Sequence, residues 1–500
     1  MIAPKTEAVA TRTLESVGLV VGYTVLPTAL SLFRFQHWLA TGWDLGFYQQ
    51  GLWALWHRGP GAYSSMTGEP VIADTASFVL WLLAPFYHFL GTRFLLVLQS
   101  FSLGLGYWWI QKIGQDLGVS SAQSRLVGLV YLLFPALLAA NLDDFHPAVL
   151  AVPLLFAAVH DALKARWLAY AVAVFLALTV KDMVAVAVIG LGISLVWGSG
   201  RRVRLIGAAT IAAGVIWLFA TTAYLIPLWA DHPMSQWSAY YGQYGATPIQ
   251  GVKTLLSHPW LFFGWAIAKR PWEYLVWIFG PLLGIVGLGV RNVGREARWI
   301  IAGLIVLEVN CLSRFASQTS PFDQYSLFAL PSLFVSGLVG IRASSAWADA
   351  MKMPKGRFSR MMAAVESRRL PVALSVSGVF LLVMAWHLHD TTWHATPLNQ
   401  PQLRDAASLI PRSSPVVAQN FLVPHTAHRS DVAVANTLGS AVLPRGTYVF
   451  LDEKFSTGTT PPQMVGKWTR FLAKHEQPIY RKDGVSLFKI VRTVPTGAPA

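Results

Sequence analysis

The chain has 500 residues, of which 54% are hydrophobic and only 13% charged, with a net charge of +15. Soluble domains carry roughly 25% charged residues, so a single soluble core is excluded, because too little polar surface exists to cover it. The basic excess does not indicate nucleic acid, since Lys and Arg fall in short clusters between apolar blocks, where they orient a membrane protein.

Apolar blocks at 17–35, 94–111, 124–141, 147–163, 167–180, 182–198, 205–229, 272–290, 299–316, 323–341 and 371–388 predict about eleven membrane-spanning helices. The first block has no small-residue cleavage site, so it is expected to be a retained span. The only cysteine, Cys311, lies in an apolar block and offers neither a disulfide framework nor a thiolate metal site. Residues 76–90, ASFVLWLLAPFYHFL, are short and contain Pro85 and His88. Treated as an interfacial helix, they leave every basic cluster on one side, as the positive-inside rule requires. These clusters run from Lys5/Arg12 through Lys112/Arg125, Lys164/Arg166, Arg201/Arg202/Arg204 and Arg291/Arg295/Arg298 to the stretch Arg342–Arg369.

Residues 167–198 are interrupted only by Lys181 and Asp182 and are flanked by basic stretches on both sides. They therefore predict a tight hairpin with Lys181-Asp182 at its far apex. A first arm of about 14 residues reaches only about 21 Å, so that apex sits below the membrane surface or opens into a cavity. The resulting topology is that of a multi-pass inner-membrane protein with a cytoplasmic N-terminus. Loops 36–93, 141–147, 230–271 and 317–322 then share the extracytoplasmic face with the C-terminal segment. The fold class expected is an α-helical polytopic domain over 1–388 and a small soluble α/β domain over 389–500. In the latter, LRDAASLI predicts a helix, VVAQNFLV and TYVFLDE strands, and PIYRKDGVSLFKI a hairpin around Asp483-Gly484. The basic stretch 352–370 predicts an interfacial helix on anionic membrane lipid.

The candidate chemistry gathers on one face. In GWDLGFYQQGLWALWHRG, Leu45, Tyr48, Leu52, Trp53 and Trp56 share a helical face, which predicts an amphipathic helix in the membrane surface. Asp44 precedes it, either as its N-cap or as a general base at the water–lipid boundary. In NLDDFHP, Asp143, Asp144 and His146 can bind a divalent metal such as Mg or Mn, position an acceptor hydroxyl, or cap the helix that Pro147 begins. Lys181 and Asp182 are an ionisable pair at membrane depth, a functional candidate by default; the alternative is a self-neutralising pair at the apex. Lys181 can hold a phosphate as a point charge. Asp74, Asp231, His232, Arg314 and Asp323 are further charged groups near this face. Tyr240, Tyr241 and Tyr244 with Trp237 are either interfacial belt aromatics or a sugar-stacking surface. No P-loop, GxGxxG, HExxH or GxSxG pattern is present, which weighs against an ATP-driven pump or a serine hydrolase.

GWDLGFYQQGLW, LLAPFYHFLG, YLLFPALLAANLDDFHPAVLAVPLLF, LTVKDMVAV and VVAQNFLVPHTAHR resemble the bacterial membrane proteins grouped as domain of unknown function 2079, with Asn420, Pro424, His425 and Arg429 in the last segment. The layout is similar to the GT-C superfamily of membrane glycosyltransferases, which use polyprenyl-phosphate-linked sugars. That resemblance implies Asp44 as base, Asp143, Asp144 and His146 as a metal or donor-phosphate site, and Lys181 as a phosphate contact. The chain departs from the family pattern in two places: IADTASF stands where a His usually precedes the LLAP-type segment, and Asp323-Gln324-Tyr325 where a His-Tyr pair is frequent.

The function expected is therefore a GT-C-like glycosyltransferase with a polyprenyl-phosphate-linked sugar as donor. Lys181, Arg314 or a metal would stabilise the leaving phosphate. The competing readings are a transporter or lipid flippase working through Lys181-Asp182, and a non-catalytic envelope scaffold. Against the transporter, no internal repeat is evident and the polar groups cluster on one side instead of the midplane.

Overall fold

The computed structural model describes residues 3–229, 237, 240–261, 263, 271–282, 295–350, 357–388, 397–435, 442–455 and 460–493. Asp231, His232 and the second half of the 272–290 block lie outside them. The chain is mostly helical. Ten helices lead to the first large break: α1 Ala3–Gln36, α2 Phe47–Arg58, α3 Val79–Leu90, α4 Thr92–Leu117, α5 Ser121–Leu132, α6 Pro135–Leu142, α7 Ala151–Leu163, α8 Trp167–Leu178, α9 Val184–Val196 and α10 Arg201–Phe219. Further long helices are Ile301–Leu312, Leu330–Ala350 and Arg357–Leu388.

Among the described residues, Thr13–Gln36, Arg201–Trp229 and Gln324–Ala343 are long and apolar enough to cross a membrane, and α5 with α6, bent by 42°, makes a fourth candidate. The described helices thus do not reproduce eleven full-length spans, because several apolar blocks contain a break. The block at 124–141 is divided at Phe134, which precedes Pro135 and adopts the extended conformation that a following proline imposes (φ −68°, ψ 121°). The block at 167–198 is split by its apex into arms of 12 and 13 residues. The break at Lys181-Asp182 agrees with the sequence reading, but the arms do not form a tight hairpin: α8 packs mainly on α7, and α9 on α10 and on Ile301–Leu312. Lys181 and Asp182 between them are buried inside the protein. The first loop clips this stretch there: Thr179 accepts from the Val79 amide at 3.1 Å and Thr75 from the Asp182 amide at 3.0 Å.

The C-terminal segment folds on a five-stranded sheet of order β2-β1-β3-β5-β4, formed by β1 Val416–Ala418, β2 Val432–Val434, β3 Tyr448–Asp452, β4 Pro478–Lys482 and β5 Val485–Lys489. β1 runs parallel to β2 and β3; β3, β5 and β4 are antiparallel. The β4–β5 turn has positive φ at both Asp483 (51°) and Gly484 (86°), the type I′ geometry that an Asp-Gly pair favours. VVAQNFLV is only partly a strand, since Asn420–His425 winds into a 3-10 turn. A short apolar run does not distinguish the two by periodicity.

Side chains alternate across the sheet. Val449, Leu451 and Phe488 face the helix Pro462–His475 through Trp468 and Leu472. Tyr448, Phe450 and Leu487 join a core that also contains Trp38, Leu45 and Leu52 of the first loop, Leu83 and Tyr87 of α3, and Leu403, Phe421 and Val423. α2 is consequently more than a surface helix. Its polar Gln49 and Gln50 are buried, Gln49 donating to the Thr92 hydroxyl at 2.6 Å and Gln50 accepting from the Ser64 hydroxyl at 2.8 Å. Trp56, expected on the same face as Leu45 and Leu52, remains 41% exposed while those two are fully buried.

Candidate active site

Asp44 stands in a single π-helical turn, Gly42–Gly46, between α1 and α2. Such one-turn departures from α geometry recur at functional sites. The Thr41 hydroxyl donates to Asp44 Oδ2 at 2.7 Å, and Asp44 Oδ1 lies 3.1 Å from His146 Nε2. His146 is aimed by its chain neighbour: Pro147 favours an extended residue before it, and His146 has φ −131° and ψ 128°. Its Nδ1 is buried without a hydrogen-bond partner among the described residues. Nε2 is therefore the nitrogen that donates to the Asp44 carboxylate. Burial by itself would raise the Asp44 carboxyl, but the hydrogen bond and charge of His146, the Thr41 hydroxyl and the Lys181 charge together hold it below its ordinary value. Asp44 is thus a carboxylate that already has an oriented imidazole.

The DDFH turn is held by a residue that sequence reasoning passed over. Gln99 of α4 is fully buried; its Nε2 donates to the carbonyls of Asn141 and Asp144 at 2.7 and 2.5 Å, and its Oε1 accepts from the His146 amide at 3.0 Å. The available signal was a glutamine inside an apolar block. Asp144 adopts a left-handed conformation (φ 60°), uncommon for a residue with a side chain and most tolerated by Asn and Asp. Its Oδ2 accepts from the Thr41 amide at 2.6 Å. Burial, partly opposed by Arg34, pushes its carboxyl up to about 6. Asp143 is only half-buried, and desolvation with the charges of Asp44, Asp323 and Asp144 raises its carboxyl well above the ordinary range.

A cavity of 170 Å³ opens beside Asp44 and brings together Asp44, His146, Lys181 and Tyr325. Trp43, Phe47, Tyr48, Thr67, Asp74, Thr75, Tyr240 and Gln324 complete its wall. Lys181 is 7% exposed, with Nζ 5.4 Å from the centroid of the Tyr325 ring. Among the described residues no carboxylate lies within ion-pair distance of it. Its counter-charges act from further off, Asp44 across the same cavity and Asp182 beside it in the chain, so the ammonium keeps donors for a ligand in the cavity. A second cavity of 40 Å³ shares Lys181, Tyr240 and Tyr325 and adds Asp182, Met183, Trp237 and Tyr241. The Asp182 carboxylate accepts from the Met183 amide at 2.7 Å.

The other expected residues stand apart from the cavity. Asp143 and Asp144 do not line it. Arg314 is exposed; its amide donates to the Tyr240 carbonyl at 2.8 Å, which steadies the Tyr240 wall. His425 is half-buried against aromatic rings, 3.7 Å from Trp38 and 4.7 Å from Phe35 between centroids, and desolvation lowers its imidazole to about 3. It is a neutral packing group between the C-terminal segment and the first loop. For the expected divalent metal, no three His, Cys, Asp or Glu side chains gather in ligating geometry among the described residues. Asp144 is engaged by Thr41 and His146 by Asp44, so these donors do not converge on one ion. Of the cavity wall, Tyr240 carried a sequence signal as a clustered aromatic and Tyr48 as part of an amphipathic helical face, whereas Thr67 and Thr75 carried none.

No curated protein matches the sequence. The fold is similar to that of ArnT from Cupriavidus metallidurans. The crystal structure bound to undecaprenyl phosphate matches with a TM-score of 0.55 at 13% identity, covering 93% of this chain and 98% of that one. The apo structure matches with a TM-score of 0.53 at 12% identity, covering 94% and 98%. At such identity the likeness concerns the fold alone, which is ArnT-like along most of the chain. A family model described as "Predicted membrane protein (DUF2079)" matches residues 34–487, and the chain belongs to that family.

Proposed function

We propose that the protein is a GT-C-like glycosyltransferase that moves a sugar from a polyprenyl-phosphate donor to an envelope acceptor. It would act on the extracytoplasmic face of the bacterial inner membrane. The observation that carries this reading is one cavity with an oriented carboxylate, Asp44, and a buried cation, Lys181, in its wall. The ArnT-like fold supports the class, and the undecaprenyl phosphate bound in that protein's crystal structure supports the donor.

In this mechanism Asp44 takes the proton of the acceptor hydroxyl as the oxygen bonds to the anomeric carbon. The bond from that carbon to the phosphate oxygen breaks, and polyprenyl phosphate leaves with the electron pair. His146 keeps Asp44 oriented and ionised. Lys181 stabilises the charge gained by the leaving phosphate, where a pre-placed cation in a dry site acts most strongly. Tyr240 and Tyr325 supply aromatic faces on which a sugar ring can stack. The proposed topology keeps about eleven crossings, several of them short or broken, with the N-terminus cytoplasmic and the 389–500 domain outside.

The test is transfer from a labelled polyprenyl-phosphate sugar by the full-length protein in proteoliposomes. Covalent transfer to acceptor supports the proposal. Movement of the lipid across the bilayer without covalent change would instead establish the flippase reading.

A further inference from the structure

We infer that the C-terminal domain is a working part of this site, and that Asn420 is the positioning residue through which it holds Asp44. The kinetic part of the inference rests on the proposed transferase activity; the geometric part does not. Asn420 opens the 3-10 turn Asn420–His425 and is 4% exposed. Its Oδ1 accepts from the backbone amides of Gly42 and Trp43 at 2.9 and 3.2 Å. These are the first two amides of the turn that carries Asp44, and the opening N–H groups of a helical segment have no partner within it. The residue that supplies one lies 378 positions away in sequence.

The turn is shaped to receive it. A Cβ on Gly42 would come within 2.9 Å of the Asn420 carbonyl oxygen, and one on Gly46 within 2.7 Å of Val423 Cγ1. Glycine alone permits this approach at 42, against a backbone oxygen, and at 46 as long as Val423 keeps its Cγ1 methyl; the two glycines of GWDLG flank Asp44. The other end of the 3-10 turn is seated just upstream, where His425 stacks on Phe35 and Trp38. A second attachment lies at the edge of the sheet: the Val432 amide donates to the Ser65 hydroxyl, which in turn donates to the Val432 carbonyl, both at 2.9 Å.

Asn420 does not line the cavity, so its influence passes through the backbone. Thr41, next to Gly42, donates to both Asp44 and Asp144. A shift of the Gly42 and Trp43 amides therefore moves the base and its support together.

The test uses the full-length protein in proteoliposomes, with Asn420→Ala and Asn420→Asp variants. The Asp side chain keeps an acceptor oxygen for the two amides; Ala does not. Asn420→Ala is expected to lower kcat roughly 10- to 100-fold, the scale of a misplaced catalytic group, with donor KM within about twofold. Asn420→Asp should recover most of the rate. A separate arm needs no activity. In a Cys311→Ser background, Asp44→Cys is labelled with a small thiosulfonate reagent, and Asn420→Ala should change the labelling rate several-fold where Asn420→Asp does not.

An engineered disulfide guards against a variant that merely misfolds. The ideal Cβ at Gly46 lies 3.5 Å from Val423 Cβ, within the span of a disulfide. Gly46→Cys with Val423→Cys should therefore cross-link on mild oxidation and restore transfer to Asn420→Ala. If the wild type transfers sugar and Asn420→Ala matches its kcat, the inference is overturned while the transferase reading stands. If the wild type transfers nothing, that reading fails and thiol labelling alone decides: an unchanged rate overturns the inference.

Discussion

Thr41 donates its amide to Asp144 and its hydroxyl to Asp44, so one residue joins two carboxylates of opposite character. Asp44 is held ionised by its neighbours, while burial drives Asp144 from an ordinary 3.8 up to about 6. Between those two values the folded protein binds more protons at Asp144 than the unfolded chain does. Stability from this group is therefore present at low pH and is lost as pH rises through about 6. Two pKa units correspond to on the order of 3 kcal/mol. Asp144→Asn should remove that component, so the gain in unfolding midpoint on going from about pH 7 to about pH 5 should shrink relative to wild type. An identical pH dependence in the two proteins would refute the assignment. Lys181→Gln should weaken binding of polyprenyl phosphate by roughly 1.5–3 kcal/mol, the worth of a charge-assisted hydrogen bond; equal affinity measured by titration would remove Lys181 from the anion site. Asp44, His146 and Lys181 were legible because charged groups are conspicuous in an apolar sequence. Gln99 left only the signal of a glutamine inside an apolar block and Thr41 none, since Gln99 binds backbone groups of a distant turn and Thr41 reaches Asp144 through its own amide.

At the scale of elements, the turn between α8 and α9 presents Lys181, and its position depends on the packing of α9 against α10. Gly192 and Gly207 let the two helices approach: a Cβ on Gly207 would lie 2.7 Å from the Gly192 carbonyl oxygen and 2.6 Å from the Val196 amide nitrogen. Small residues at such seams allow close backbone contact between membrane helices. Gly207→Val should force the pair apart and cost about 1–3 kcal/mol, read as a lower unfolding midpoint in detergent. No change would mean that the helices do not meet there. The break at Lys181-Asp182 and the Asp483-Gly484 turn were readable, one from its charges within an apolar block and the other from its residue pair. The π-helical turn at Asp44 and the 3-10 turn at Asn420 were not, because each takes its shape from the other. Neither GWDLG nor NFLVPH alone reveals that the glycines of the first leave room for the second.

Across the whole molecule, composition separates the last hundred or so residues from the apolar remainder but hides how closely the two are joined. The sheet and the first loop share one core, in which Trp38, Leu52 and Tyr87 meet Phe421, Phe450 and Leu487. The candidate active site lies beside that core, so the C-terminal segment packs against the same loop that carries Asp44. Fold class was legible from long apolar blocks because hydrocarbon tolerates little else. The full count of crossings was not, since helices that break inside the protein look continuous in sequence. The most direct test of the central claim is single-turnover transfer of labelled sugar from a polyprenyl-phosphate donor, comparing wild type with Asp44→Asn in proteoliposomes. The predicted result is transfer by the wild type and a rate lower by at least about 100-fold in the variant; equal transfer by both would contradict the role of Asp44 on which the account depends.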